Sequence, residues 1–231
     1  MAMVVRAFPI RDRAAVESFV QEIRGRGDEM RRFYESFGVR RELWFLQQAG
    51  KQSYVIGVTD VADPVEKVAQ EFATTTDDFA QWFQSRVLEL SGVDEREQPL
   101  GPETTQVFDS TSGSFSPDGT IAARMYPLKS VAALRELVSE LSGRSREMKN
   151  FYDSFEVSET WFVQETPEGP YAIAVASMHG DVAGNAKAYA ESLDPYAVWF
   201  KQRVIDVSGV DPNETPLGPQ SEMVYEFRGI V

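Results

Sequence analysis

The sequence predicts an α+β protein built from two copies of one β-α-β-β-α-β unit. Three observations carry this. Residues 4–108 return as residues 122–225, shifted by 118 as far as Val39 and by 117 from Trp44 onward, with 40 identities in 101 aligned pairs. Each copy alternates short apolar runs, bounded by Pro or Gly, with longer stretches of helical periodicity. One Ser/Gly/Pro-rich run, Asp109 to Thr120, separates the copies and reads as a flexible connector. A repeat of about 110 residues is too long for a solenoid unit and has the size of a small domain. The expected boundaries are 1–109 and 121–231, with a linker at 110–120.

The elements follow in order. Met3 to Phe8 and Ile121 to Tyr126 are brief apolar runs stopped by Pro9 and Pro127, as strands are. Helical spacing comes next, through Val16, Phe19, Val20 and Ile23 in the first copy and Leu134, Leu137, Val138 and Leu141 in the second. Gly25 and Gly143 interrupt it, as a kink or a short loop. A second helical piece then carries Met30, Phe33, Tyr34 and Phe37, matched by Met148, Phe151, Tyr152 and Phe155. Leu43 to Gln48 and Tyr54 to Val58 form a hairpin around Gly50; Trp161 to Glu165 and Tyr171 to Val175 repeat it around Pro167 and Gly169. A further helical region runs from about Pro64 to Leu90 and is closed by Gly92, with Gly209 as the matching cap. After Pro99-Leu100-Gly101-Pro102, or Pro216-Leu217-Gly218-Pro219, a last strand carries Val107-Phe108 or Val224-Tyr225.

That order is the ferredoxin-like arrangement: an antiparallel four-stranded sheet, helices on one face, and the last strand beside the first. Its open face must be buried, and two tandem copies can cover each other. On element order and duplication, over nearly all of residues 4–228, the chain resembles the dimeric α+β barrel superfamily. The resemblance implies two sheets packed face to face, as an intramolecular barrel about a pseudo-two-fold axis. Residues 1–110 alone are then expected to aggregate or to pair as a homodimer. The superfamily includes cofactor-free monooxygenases, isomerases and haem-containing members, and fold alone does not choose among them.

Composition narrows the partners. A formal charge of −13 argues against nucleic acid and anionic membrane surfaces. No run reaches the roughly 18 apolar residues of a membrane span, and the N-terminus lacks the apolar stretch of a signal peptide. Zero Cys excludes disulfides, a thiolate nucleophile and Cys metal sites. A cytoplasmic protein without nucleic acid or membrane partners is the expectation. The single His, His179, lies in the turn Ser-Met-His-Gly-Asp where the first copy has Ala62, and it reads as a surface residue. It supports neither haem, nor a metal site, nor a Ser-His-Asp triad, so no cofactor and no metal is expected.

Two arginines and three pairs of aromatics stand out. Strand alternation puts Arg6 with Val4 and Phe8, and Arg124 with Ala122 and Tyr126. With Val5 and Ala7 turned toward the helices, these arginines are expected on the open face. A buried Arg needs a partner, and Asp109 and Glu226, on last strands beside the first ones, are the expected carboxylates. In the other reading the guanidinium awaits an anionic or carbonyl ligand. Trp44, Tyr54 and Trp82 recur as Trp161, Tyr171 and Trp199. Trp82 and Trp199 precede Arg86 and Arg203 by one helical turn, which suits ring–guanidinium stacking. Aromatics at such spacing usually form core, yet these six with Arg6 and Arg124 would also wall a pocket for a small molecule.

The carboxylates show no dyad. Glu29 and Glu147 sit among basic neighbours on helix faces, and Asp94-Glu95-Arg96-Glu97 reads as a loop. The function read from the sequence is therefore a metal-free, cofactor-free binder of a small apolar or aromatic molecule. One alternative is a non-catalytic scaffold with a filled barrel. Another is a cofactor-independent monooxygenase- or isomerase-like enzyme in which Arg6 or Arg124 stabilises an enolate-type charge. A cavity of about 300 Å³ or more would favour binding. The chain is expected as a monomer containing a pseudo-dimer, or as a homodimer.

Overall fold

The computed structural model describes residues 2–110 and 119–229, so residues 111–118 of the expected linker lie outside the described residues. The first copy forms β1 (Ala2–Ile10), α1 (Arg13–Gly25), α2 (Gly27–Ser36), β2 (Val39–Ala49), β3 (Gln52–Val61), α3 (Val65–Ala73), α4 (Asp78–Ser91) and β4 (Thr105–Asp109). The second forms β5 (Thr120–Pro127), α5 (Val131–Gly143), α6 (Ser145–Ser154), β6 (Val157–Thr166), β7 (Gly169–Met178), α7 (Val182–Glu191), α8 (Pro195–Ser208) and β8 (Ser221–Arg228). The class is α+β, with two four-stranded antiparallel sheets and eight helices among the described residues.

Two expected helical regions are each a pair of helices. The run Thr74-Thr75-Thr76 stops α3, and Asp77 starts α4 by accepting from the Ala80 N–H. Gln84 then donates from Nε2 to the Phe72 carbonyl at 2.7 Å, and its counterpart Lys201 donates to the Ala190 carbonyl at 2.7 Å. Those bonds satisfy carbonyls that a helix end leaves without partners. Gly92 and Gly209 close α4 and α8 in the left-handed conformation, at φ 77° in both.

The strand order departs from the expected one. The sheets run β1-β3-β2-β8 and β4-β6-β7-β5, so each last strand lies at the edge opposite the first strand of its sheet and comes from the other copy. By contacts the chain divides into Met1–Glu103 with Glu222–Val231, and Thr104–Ser221. Aromatic packing seats the exchanged strands. Tyr225 of β8 meets Trp44 with ring centroids 4.8 Å apart, and Phe227 meets Tyr34 at 4.5 Å. Phe108 of β4 meets Trp161 at 4.3 Å. Phe108 and Tyr225 occupy matched positions in the two copies, so the local pattern fits either sheet.

The one-residue difference between the copies has a place too. The β2–β3 register slips between Val39 and Arg41, whereas Val157 and Ser158 follow in step. Arg40 is the extra residue of a bulge, and its guanidinium holds Asp60 at 2.6 Å and the Val61 carbonyl at 3.0 Å.

The sheet faces are also reversed from expectation. Val4, Arg6 and Phe8 line one space with Phe19 of α1, Phe33 of α2 and Phe83 of α4, so Arg6 lies on the helix-covered face. Val5, Ala7, Ile56 and Val58 belong to the other face. Both faces of β1 are apolar, so residue size alone could not orient it. Gly101 and Gly218 pass directly under this layer. At φ 95° and 80° they take a conformation that favours glycine, and a Cβ on either would overlap the ring of Phe8 or Tyr126.

Candidate functional site

In the first unit a cavity of about 130 Å³ lies between the sheet and the helices. Phe19, Phe33, Trp44, Phe72 and Phe83 supply its aromatic wall. Two carboxyl groups, Glu42 and Glu95, share this apolar space with Arg6 and Thr59. The volume is under the 300 Å³ of the sequence expectation, but it is close to the roughly 150 Å³ apolar cavity known to admit benzene.

Glu42 is placed by strand alternation on the same face as Trp44 and is 8% exposed. It accepts from the Trp44 indole N–H at 2.7 Å and bonds Thr59, its cross-strand partner on β3. Glu95 reaches the cavity through the turn after α4: Gly92 reverses the chain, Val93 is buried at 8% exposure, and Glu95 follows at 5%. The Glu95 Oε2 atom is buried without a hydrogen-bond partner. Burial pushes Glu42 up to about 7, partly offset by its bonds to Thr59 and Trp44. Glu95 is pushed up to about 8, by burial first and then by repulsion from Glu42 and Asp94. The charge of Glu42 thus disfavours ionisation of Glu95 in the same space.

The carboxylates expected beside the strand arginines are elsewhere, because the exchanged strands sit at the far sheet edges. Glu226 on β8 holds Arg41 at 2.9 Å and Arg228 at 2.6 Å. Asp109 lies on β4, at the edge opposite β5 and Arg124. Arg124 instead donates from Nη1 to the Leu217 carbonyl and, at 3.0 Å, to that of Gly218. Burial lowers the ionisation of Arg6, an effect opposed by the charge of Glu103. Replacing Arg124 by Met should therefore loosen the Leu217–Gly218 loop and cost about 1.5–3 kcal/mol. Urea denaturation reads this, and an unchanged midpoint would deny Arg124 that role.

The eight sequence candidates disperse. Arg6 and Trp44 line the first unit's cavity, while Arg124 and Trp161 line two smaller ones of about 80 and 90 Å³ in the second unit. Tyr54 and Tyr171 alternate onto the other sheet faces and are buried there, at 1% and 5% exposure. Trp82 and Trp199 lie outside the cavity walls. Their cations are Arg26 at 4.0 Å and Arg144 at 4.2 Å rather than Arg86 and Arg203, because the breaks after α1 and α5 place those arginines over the rings. Arg86 and Arg203 pair with Glu89 and Glu140 instead. His179 is exposed just after β7, and no group of three metal-capable side chains occurs among the described residues.

The sequence reading missed both glutamates. Glu42 had a signal, since Glu42-Leu-Trp44-Phe45 recurs as Glu159-Thr-Trp161-Phe162. Glu95 had none, because Pro212 stands in its place in the second copy. There Glu159 accepts from both the Trp161 N–H and the Tyr152 hydroxyl at 3.0 Å. Tyr126, Tyr189 and Ala174 replace Phe8, Phe72 and Gly57 around it, which narrows the space.

No family model matches the chain, and no curated protein does. Among solved structures, a crystal structure of an anthrone oxidase-like protein is 12% identical, covering 98% of this chain and 92% of that one with a TM-score of 0.48. That likeness is too loose to carry an argument about this chain. No helix among the described residues is long and apolar enough to cross a membrane.

Proposed function

We propose that the first unit binds one small, flat, apolar or aromatic molecule between its sheet and its helices, and that the chain is a tandem member of the dimeric α+β barrel superfamily. The superfamily reading is supported by the duplication in the sequence and by two four-stranded antiparallel sheets, each with helices on one face. The binding reading rests on one conjunction: aromatic-walled space left open around a buried carboxyl oxygen with no partner. A core serving stability alone would close such space, since voids and unpaired buried polar groups both cost stability. That space lies on the helix side of the sheet, so the filled-barrel alternative stands beside this reading.

Toluene and naphthalene are suitable probes for a thermal-shift titration of the full chain. A ligand at 100 times its dissociation constant adds about 2.7 kcal/mol to the folded state, so saturating toluene should raise the melting temperature measurably. Val68, on α3 and 1% exposed, lines the cavity. Val68→Phe should fill the space and abolish the toluene shift. Absence of any shift with either probe in the unsubstituted chain would count against binding.

A further inference from the structure

We infer, resting on that binding reading, that the first unit's cavity takes a cationic aromatic amine, with its ammonium between Glu42 and Glu95 and its ring among Phe19, Phe33, Trp44 and Phe83. Glu95 is nine-tenths buried and its Oε2 has no partner. The hydrogen bonds to Glu42 come from an indole N–H and from Thr59, which are neutral. Neutral donors satisfy oxygens but bring no countercharge, so the buried pair holds on to a proton instead. A phenol or alcohol would repeat that shortfall. An ammonium supplies three donors and takes the place of that proton's charge, and the surrounding ring faces attract it further.

The neighbouring charged and titratable groups agree with this. They are Arg6 from β1, Tyr34 from α2, Asp94 beside Glu95, and Tyr225 from β8. Among these the cation is Arg6, on which the charge of Glu103 acts. The second unit supplies an internal contrast. Pro212 replaces Glu95 there, the Tyr152 hydroxyl adds a donor to Glu159, and Arg124 supplies a charge to that carboxyl. Burial still pushes that glutamate up, but two hydrogen bonds and a cation offset it in part. No oxygen of it is left without a partner beside a second carboxyl, so the amine site belongs to the first unit.

Because Glu42 and Glu95 titrate at about 7 and 8, the two retain about one proton near neutral pH, and a bound ammonium should expel it. Calorimetric titration of the full chain with benzylamine and benzyl alcohol, equal in ring and arm, tests this in two buffers of different ionisation enthalpy. Benzylamine should bind at least about tenfold more tightly at pH 7. It should release about one proton per molecule and gain affinity from pH 6 to pH 8. In Glu95→Gln, checked for an intact melting transition, benzylamine should lose its advantage over benzyl alcohol. Equal binding of the two probes, no proton release, or an advantage that survives Glu95→Gln would each overturn the amine assignment and leave the small-molecule reading standing. If benzylamine, benzyl alcohol and toluene all fail to bind, both readings fall.

Discussion

Raising the pH from about 5 to about 8 should destabilise the folded chain, opposite to the usual effect of paired carboxylates. Glu42 and Glu95 titrate near 7 and 8 when folded, against about 4.3 for an unfolded glutamate. Between those values the native state holds more protons than the unfolded one. The stability they contribute is full below the unfolded value and is lost as pH rises through the folded ones. Each carboxyl can contribute a slope of at most about 1.4 kcal/mol per pH unit, so the total reaches several kcal/mol. The carboxylates held low by arginines, such as Glu29, Glu147 and Glu226, work in the opposite sense and below this window. Urea midpoints at pH 5, 6, 7 and 8 give the profile, and Glu42→Gln with Glu95→Gln should reduce its slope, leaving the part that buried Glu159 adds in the same sense. A flat or rising profile in the unsubstituted chain would remove the two glutamates from this role.

Replacing Glu95 by Leu should raise the melting temperature at pH 7.5, while Glu42→Leu should not. Glu95 has a buried oxygen that no group satisfies. An apolar side chain of similar volume removes the desolvation cost, and such exchanges are often neutral to stabilising by about 1–4 kcal/mol. Glu42→Leu removes the same kind of cost but strips the acceptor from the Trp44 N–H. A buried donor left without a partner costs about 1–3 kcal/mol, which offsets the gain. Parallel melts decide the matter. A clear drop for Glu95→Leu would mean that Glu95 supports the fold, whereas a rise identifies a group kept at the expense of stability, as binding groups often are.

The sequence was most readable where a residue acts through its immediate neighbours. Gly92 and Gly209 end their helices as a left-handed cap does, and the hairpin turns at Gly50 and Gly169 follow from turn chemistry. It was least readable where two choices look alike locally. The run Met3–Ile10 lacks a polar alternation, so nothing in it tells which way Arg6 points. Phe108 and Tyr225 match in the repeat, so nothing in either says which sheet it joins. Glu95 enters the cavity through a chain reversal whose outcome depends on distant strands, and an acidic loop was all that its neighbours showed. Trp44 was legible as a recurring aromatic, and the glutamate two residues before it recurs with it.

The exchange of β4 and β8 bears on the order in which the protein can be made. Thr104–Ser221 is one unbroken stretch, synthesised whole before β8 follows it. The other unit is made mostly of the earlier Met1–Glu103 yet lacks an edge strand until Glu222–Val231 emerges, and with it the Tyr225 ring that rests on Trp44. The cavity whose walls are translated first is therefore the one whose scaffold is closed last. A stop codon ahead of Ser221–Arg228 would strike the first unit's pocket, more than a hundred residues away along the chain, and spare the unit that lies between them.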